Sequence, residues 1–504
     1  MSAAAPRIGI WGTFDLENYG DLLFPRIAER EVLSRLPKAL VRAYSPYGFL
    51  HPIELDAGVP AHPLGIWSDE RTAELAGQLD CVLIGGGNII HTKDESLAAH
   101  YGVTTQEILD RAPSKFFIEA LGPIHERMCP VVWHSVGIPF DPSQEESLRL
   151  RKALAARDYT AVCDEQSRAR LEMAGVKTEI SVVPDSAFLL TRLFPHDLLR
   201  KSVDQLRQLG WYPRHKNALV IQGSRYMIPS IAILADQIVA LLHRRSDLVP
   251  VLVATGPCHG DHEFADALAA TLPIPSYRLP ESALVEDLVA AVWGSHGFIG
   301  ISLHGNITAF CFDKPHVALD LLEFSRLEGL GLMIENPACV VRDPSKLSKA
   351  FELSERSAGR LDTLRGLQNR IDAHFDRIAD IAAEAATARR DIAPQLPDDD
   401  SNLRRAYEVR GRRMVEERFA LTQALVASRA RERELQSELE RHEFALAQAE
   451  SAVEKQAVRV ATLEQRLAGL EKQRDVLHAS RSFRYTAPLR KVGQGLRALG
   501  FRRH

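Results

Sequence analysis

The chain has 504 residues, of which 45% are hydrophobic and 25% charged, and its formal net charge is -4. These values exclude a disordered or fibrous protein and give no sign of nucleic-acid binding, while the length predicts roughly two or three domains. The six cysteines form no CxxC pair, and the first residues have no basic segment followed by an apolar one. We therefore expect no zinc site, no disulfide framework and no secretory signal, and we predict a cytoplasmic protein.

Residues 7–195 alternate short apolar runs with stretches of helical periodicity. The runs RIGIWG, CVLIGGGNII and PVVWHSVGIP are almost wholly apolar and have glycine or proline at or near their ends. Strands that are buried on both faces of a parallel sheet have this composition. We therefore predict a doubly wound, Rossmann-like lobe over residues 7–195.

The same alternation begins again at NALVIQGS and continues through VPVLVATG and GFIGISLH. It predicts a second Rossmann-like lobe over residues 216–345, joined to the first near residues 194–216. The fold class is therefore α/β, with two doubly wound lobes facing a cleft. Because doubly wound sheets bind ligands beyond the carboxyl ends of their strands, functional residues are expected at those ends.

The composition changes after residue 345. We predict a helical segment over 346–392, a Pro/Asp linker over 393–402 and a coiled coil over 403–478. The heptad a positions are Leu425, Glu432, Leu439, Leu446, Val453, Val460, Leu467 and Arg474, and the d positions are Leu421, Ser428, Leu435, His442, Ala449, Gln456, Leu463, Leu470 and Leu477. This pattern favours a homo-oligomer, although a single solvated helix folded back on the protein would also fit it.

The last segment, residues 479–504, has seven Arg/Lys residues and no acidic residue between Ser480 and His504. Its aromatic and aliphatic residues suit peripheral contact with the inner face of an anionic membrane. A disordered basic tail would have the same composition.

Two glycine-containing loops follow strands of the first lobe. In GTFDLENYGDLL, Asn18, Gly20 and Asp21 lie where a helix begins, and a helix N-terminus suits an anion, although Asp21 could simply cap that helix. In LIGGGNIIH, Gly85, Gly86, Gly87 and Asn88 would let backbone amides approach an anion, although a tight turn without ligand explains them equally well. The spacing is not that of GxGxxG or a Walker loop.

The second lobe supplies the ionisable candidates. In IQGSRY, Arg225 follows a strand, and in GISLHGNITAF, Ser302, His304 and Asn306 lie between a strand and a helix. A histidine at a strand end suits general acid–base chemistry, and the start of the next helix at Asn306 suits an anion, although a hydrogen-bonded core histidine is also compatible.

Other polar residues at strand ends have simpler explanations. We interpret Asp185 as a turn-forming residue and His259, Asp261 and His262 as solvated residues of a surface loop. We therefore expect no bound metal.

Taken together and in order, NYGDLL, CVLIGGGNII, SVGIP, CDEQSRARLEMAGV, VVPDSAFLL and SLHGNITAFCFDKPHVALD resemble the polysaccharide pyruvyl transferase family over about residues 7–332. The resemblance implies GT-B-like lobes and transfer of a pyruvyl group from phosphoenolpyruvate to sugar hydroxyls. The acceptor would be a bacterial surface polysaccharide or its lipid-linked precursor, and phosphoenolpyruvate would be a co-substrate, with no further cofactor.

This chemistry assigns roles to the candidates. His304 would be the acid–base group and Arg225 the anion clamp. The loops Asn18–Asp21 and Gly85–Gly87, with Asn88, Ser302 and Asn306, would bind substrate.

The chain departs from the family pattern at two positions. Ser302 stands where many members have a basic residue, and Cys163 stands where many have arginine. The segment SRSFRYTAPLR is similar to the ends of many bacterial glycosyltransferases of surface polysaccharide assembly. Two alternatives therefore stay open: a GT-B glycosyltransferase that uses a nucleotide sugar, and a non-catalytic scaffold that binds glycan or partners and carries a coiled coil.

Overall fold

A computed structural model describes most of the chain. The described residues are 5–16, 18–48, 61–119, 129–155, 158–256, 259–280, 283–322, 325–357, 360–389, 399–480 and 484–498. They divide into two compact units, Met1–Gln423 and Ala424–His504.

The first lobe is built on a parallel sheet with the strand order β3-β2-β1-β4-β5-β6-β7. Its inner strands are buried along their whole length, as the apolar runs predict. The strands are β1 Arg7–Trp11, β2 Leu40–Ser45, β3 Ala61–Pro63, β4 Cys81–Gly85, β5 Val131–Val136, β6 Tyr159–Val162 and β7 Ser181–Val182. The helices are α1 Tyr19–Arg35, α2 Asp69–Gln78, α3 Ala98–Tyr101, α4 Thr105–Arg111, α5 Gln144–Leu154 and α6 Glu165–Met173.

The second lobe repeats this plan with the parallel order β10-β9-β8-β11-β12-β13. The strands are β8 Asn217–Gln222, β9 Leu248–Val253, β10 Tyr277–Arg278, β11 Gly297–Gly300, β12 His316–Leu319 and β13 Val340–Val341. The helices run from α8 to α13: α8 Ile231–Arg244, α9 Asp261–Thr271, α10 Val285–Trp293, α11 Leu303–Cys311, α12 Ser325–Met333 and α13 Leu347–Arg356. The predicted pair of doubly wound, GT-B-like lobes is confirmed.

Two helices tie the lobes together. The helix α7, His196–Gln208, follows the first lobe and packs on α10 of the second. The helix α14, Arg360–Ala388, packs against α1 of the first lobe. One hydrophobic cluster contains Ile10 of β1, Phe298 of β11 and Phe375 of α14, so the two lobes share a core. Buried contact between them fixes the crevice in which their strands end.

Beyond the lobes, the predicted linker 393–402 lies largely outside the described residues. The helix α15 runs from Asp399 to Ala479, and α16 covers Ala487–Ala498. Leu489 and Val492 of α16 are exposed, while membrane contact through this segment stays a prediction. Within the described residues, no helix combines the length and apolar character needed to cross a lipid bilayer.

Candidate active site

The crevice between the lobes contains two adjoining cavities. The inner cavity, of about 190 Å³, is bounded by Asp21, Gly87 and His100. The outer cavity, of about 340 Å³, is bounded by Phe140 and Gln222. The residues that line both are Asn18, Asn88, His259, His304 and Arg326. Both lobes therefore supply walls to one continuous site, at the position where doubly wound folds bind ligands.

His304 lies in the first turn of α11, which begins one residue earlier, at Leu303. Ser302 is the N-cap, and its hydroxyl accepts a hydrogen bond from the Gly305 N–H at 3.1 Å. The His304 side chain is 14% exposed, and its Nε2 lies 3.3 Å from Asp185 Oδ2. Nε2 is thus engaged by the carboxylate of Asp185, while His304 as a residue lines both cavities.

The His304 ring rests on the backbone of Gly20 in α1. A Cβ atom added to Gly20 would lie 2.0 Å from His304 Nδ1 and 2.1 Å from its Cε1. No side chain larger than hydrogen fits there without moving the ring. Gly20 is thus part of the site because it lets a helix of the first lobe approach the imidazole of the second.

Asp185 fixes the other edge of the ring. It caps the 3-10 helix Ser186–Arg192, and its Oδ1 accepts a hydrogen bond from the Ala187 N–H at 2.8 Å. Burial acts to raise the pKa of Asp185, but the charge and hydrogen bond of His304, aided by the Ala187 N–H, outweigh it and lower the pKa. An ionised Asp185 therefore orients the imidazole and balances its charge when it is protonated.

Asp21 is a second ionisable group on the inner cavity. It lies in the first turn of α1. The N-cap of this helix is Asn18, whose Oδ1 accepts a hydrogen bond from the Gly20 N–H at 3.1 Å. The expectation that Asp21 might cap this helix is therefore wrong, because Asn18 does so. Burial raises the pKa of Asp21 to about 7, although His304 and Arg326 act to lower it. Asp21 can exchange a proton near neutral pH.

The glycine loop after β4 shapes the inner cavity. Gly86 and Gly87 have φ angles of +117° and +90°, which favour glycine. Gly87 accepts a hydrogen bond from the Gly137 N–H at 2.8 Å, so the loop is anchored to the chain after β5. Gly86, Gly87 and Asn88 line the cavity, whereas Gly85 packs beneath Phe24. Three of these four predicted residues thus face the site.

Four predicted residues line neither cavity: Gly20 and Gly85, described above, and Arg225 and Asn306. Arg225 is exposed and lines neither, because its backbone N–H donates to the Gly260 carbonyl at 3.1 Å in a loop that leaves the side chain at the surface. Asn306 is fully buried, and its Nδ2 donates to the carbonyls of Gly300 and Ser302 at 3.1 and 2.8 Å. Because α11 starts at Leu303 and not at Asn306, this side chain braces the turn before the helix.

The structure adds residues that the sequence interpretation set aside or missed. Arg326, in the first turn of α12, lines both cavities. His259 does so too, and burial, followed by the charges of His100 and Arg326, lowers its pKa to about 4. Both residues follow strands of the second lobe, His259 after β9 and Arg326 after β12, and this position is the signal that could have identified them.

Asp261, also set aside in the sequence interpretation, lines the outer cavity. Its Oδ2 accepts hydrogen bonds from the backbone N–H groups of Thr255 and Gly256 at 2.8 and 2.9 Å. Asp261 therefore holds the loop after β9 in shape. Within the described part of the chain, no three His, Cys, Asp or Glu side chains are grouped to hold a metal ion.

Contacts between α1 and the second lobe close the crevice. Asn18 Nδ2 lies 3.2 Å from His259 Nε2, and the Tyr19 N–H donates to the Thr255 carbonyl at 2.7 Å. Deeper in, Arg26 and Glu286 form a buried ion pair at 3.0 Å. The site thus combines a positioned imidazole, a carboxyl that titrates near neutrality, an arginine and helix N-termini that favour anions.

Solved structures resemble the chain at low identity. UDP-GlcNAc 2-epimerase from Neisseria meningitidis bound to UDP-GlcNAc has 14% identity and a TM-score of 0.44, covering 75% of this chain and 98% of its own. A putative UDP-N-acetylglucosamine 2-epimerase from Listeria monocytogenes has 13% identity and a TM-score of 0.45, covering 78% and 99%. An alpha,alpha-trehalose-phosphate synthase (UDP-forming) from Burkholderia vietnamiensis has 13% identity and a TM-score of 0.44, covering 76% and 99%.

Comparison with sequence families identifies the family of the chain. A comparison with curated proteins finds no match. The family model "Polysaccharide pyruvyl transferase" matches residues 18–321, which begin at the cap of α1 and include Gly20, Asp21, Asp185 and His304. The match covers more than half of the chain and both walls of the crevice. The chain belongs to the polysaccharide pyruvyl transferase family.

Proposed function

We propose that the protein transfers a pyruvyl group from phosphoenolpyruvate to two hydroxyls of a sugar, forming a ketal on a bacterial surface polysaccharide or its lipid-linked precursor. The observation that carries the proposal is the placement of His304. Its ring is held between Asp185 and Gly20 in a crevice that both lobes line. This is the arrangement expected of a proton donor that must act on a bound substrate.

The reaction needs a proton at carbon. His304 gives a proton to the methylene carbon of phosphoenolpyruvate while a sugar hydroxyl adds to the neighbouring carbon, which carries the phosphate and the carboxylate. The oxygen of a second hydroxyl then replaces phosphate at that carbon. One hydroxyl proton thus ends on the new methyl group and the other leaves with phosphate, so atoms and charge balance.

Asp21 suits the complementary proton transfer. It shares the inner cavity with His304, and its pKa of about 7 lets it accept a hydroxyl proton near neutral pH. A general base works best when its pKa lies near the operating pH. The two groups come from different lobes, so a sugar hydroxyl and the donor can be held between them.

Arg326 is our candidate for the anionic end of the donor, in place of Arg225. It lines both cavities, and its charge acts on Asp21 and His259. Guanidinium groups bind carboxylate and phosphate through two parallel hydrogen bonds. The N-termini of α1 and α11 add partial positive charge at the same place, which partly offsets the lack of a basic residue at Ser302.

The test measures phosphate release from phosphoenolpyruvate and the mass gain of a ketal-linked pyruvate on oligosaccharides with neighbouring hydroxyls. We expect both signals from the unsubstituted chain. His304→Ala should reduce the rate by about 10²- to 10⁴-fold, because general acid catalysis contributes on that scale. His243→Ala, which changes an exposed histidine of α8 outside both cavities, should leave the rate unchanged.

Two results would count against the proposal. Full activity in the His304→Ala variant would remove the imidazole from the mechanism. Thermal stabilisation by nucleotide diphosphates, with none by phosphoenolpyruvate, would favour a nucleotide-sugar transferase, because a ligand that binds the folded state raises its stability. A crevice stabilised by neither class of donor would favour the non-catalytic scaffold.

A further inference from the structure

The long helix α15 exposes an apolar stripe that a few polar residues interrupt. Each described Leu or Val at the a and d positions is between 53% and 67% exposed. The residues of this seam are Leu435, Leu439, Leu446, Val453, Val460, Leu463, Leu467, Leu470 and Leu477. An isolated helix has no reason to repeat apolar residues every 3.5 positions, whereas a helix that pairs with another needs them.

The side chains in the seam favour two strands. Val453 and Val460 are at successive a positions, and Leu463 and Leu470 are at d positions beside and after them. β-branched residues at a with leucine at d favour parallel two-stranded coiled coils over larger bundles. Leu467 at the next a position weakens this preference only at one layer. The side chains therefore indicate a dimer.

The flanking charges favour a parallel arrangement of two identical chains. Arg459 and Arg466 are at g positions, and Glu464 and Glu471 are at the e positions five residues later. In a parallel pair, each g residue faces the e residue of the following heptad on the other chain, so every one of these contacts joins opposite charges. Within the described part of the chain, none of these four residues forms an ion pair, so they are free to pair with a second copy.

An antiparallel pair would lose these contacts. There, e positions face e positions, and the e positions Glu443, Glu450, Glu464 and Glu471 are all acidic. Like charges directly opposite each other are destabilising. The arrangement that matches the charges is thus the one in which both chains run in the same direction.

Polar residues within the seam set its register and its limits. Gln456 at a d position can bond to its counterpart only when the two chains are in register, because a slipped chain would bury it against an apolar residue. Arg474 at an a position is paired with Asp475 of its own helix at 2.9 Å. Glu438 at g would face Glu443 at e of the other copy, so the association is tightest C-terminal to them.

We propose that two copies of this chain associate through residues 449–477 as a parallel, in-register, two-stranded coiled coil. The second copy covers the seam, and the pairs Arg459–Glu464 and Arg466–Glu471 form in both directions across the interface. The inference does not depend on the reaction that the lobes catalyse.

The first test determines the mass of the full chain in solution by sedimentation equilibrium at micromolar concentrations. We expect a dimer, and Leu463→Lys combined with Leu470→Lys should give a monomer because it places charges in the seam. The matched control is Val458→Lys combined with Val476→Lys. These valines are 64% and 66% exposed but lie at f and c positions, so this variant should remain a dimer. A monomeric unsubstituted chain, a trimer or tetramer, or a dimer that survives the seam substitutions would overturn the proposal.

The second test determines orientation by reversing charges. Glu464→Arg combined with Glu471→Arg should weaken dimerisation by about tenfold or more, because it places arginine opposite arginine in a parallel pair. Adding Arg459→Glu and Arg466→Glu should restore it. An antiparallel pair would show little change in either variant. In that arrangement e positions face e positions and g positions face g positions, so like charges oppose each other both before and after the reversal. Little change would therefore overturn the parallel arrangement.

Discussion

The two lobes have the same strand plan but contribute oppositely charged groups to the immediate surroundings of His304. In each, the chain reverses its winding beside the first strand, between β1 and β4 in one lobe and between β8 and β11 in the other. The first lobe brings the carboxylates Asp21 and Asp185 to this point, while the second brings His304 and Arg326. In the proposed mechanism, neither lobe alone would hold all the groups that transfer protons.

The comparison shows where such a site gets its precision. His304 is anchored in the second lobe by the start of α11, yet the groups that position its ring, Asp185 and Gly20, belong to the first. The geometry of the imidazole is thus a property of the interface between the lobes. Substitutions in the first lobe that move the His304 ring should therefore reduce activity, although His304 itself belongs to the second lobe.

The largest effect is expected from a substitution that disturbs the contact between Gly20 and the His304 ring. Gly20→Ala adds one methyl group in α1 at a position 2.0 Å from His304 Nδ1, so the ring must move. We expect activity to fall by at least about 100-fold, because a displacement of about 1 Å can cost that much. Phosphate release at saturating phosphoenolpyruvate measures it.

The matched control is Gly366→Ala, which adds the same methyl group in helix α14 where no atom lies within 4 Å. It should leave activity unchanged and stabilise the fold by about 1 kcal/mol, because alanine favours a helix over glycine. Equal activity in the two variants would mean that the His304 ring does not need its contact with Gly20.

A second pair of variants sharpens the charge contrast. Arg326→Ala removes a guanidinium from both cavities, and we expect kcat/KM for phosphoenolpyruvate to fall by about 10- to 100-fold, the scale of hydrogen bonds to charged groups. Arg225→Ala changes an exposed arginine outside the cavities and should have no effect. The reverse ranking in steady-state kinetics would return the anion-binding role to Arg225.

The smallest effect concerns stability and pH. The pKa of Asp21 rises from an ordinary value of 3.8 to about 7 in the folded chain, so folding favours its protonated form. The stability that this gives is complete below about pH 4 and is lost as the pH rises through 7. Each unit of pKa corresponds to about 1.4 kcal/mol, and access of water from the cavity should reduce the total to about 1–2 kcal/mol.

Asp21→Asn removes this titration. The free energy of unfolding of the unsubstituted chain, relative to that of the variant, should therefore decrease between about pH 4 and pH 8. Denaturant titrations at several pH values measure the difference. A difference that is constant across this range would show that Asp21 ionises as it does in water.

The sequence predicted the strands well, because central strands of a parallel sheet are apolar on both faces and therefore read as continuous runs. It placed the start of α11 too late. Leu303 and His304 looked like the end of a strand, whereas the N-cap Ser302 shows that they belong to the first turn of the helix. That error placed Asn306 at a ligand site instead of in the buried turn.

The partners of His304 could not be found from local patterns. Asp185 is 119 positions away in sequence and looks like any aspartate at a turn, a role that it also has. Gly20 was predicted as part of a helix N-terminus, but its contact with the ring depends on how the lobes meet. Arg225 was preferred over Arg326 because it directly follows a strand, and only the path of its loop shows that it points elsewhere.

The helix α1 has a consequence for turnover. The same helix that carries Gly20 and Asp21 at its first turn carries Arg26, whose buried pair with Glu286 links the lobes one turn further on. If the lobes spread to admit a bulky glycan, Gly20 would therefore move away from the His304 ring at the same time. Under the proposed mechanism, a chain with spread lobes would therefore lack a positioned proton donor, and phosphoenolpyruvate bound in it would not be consumed.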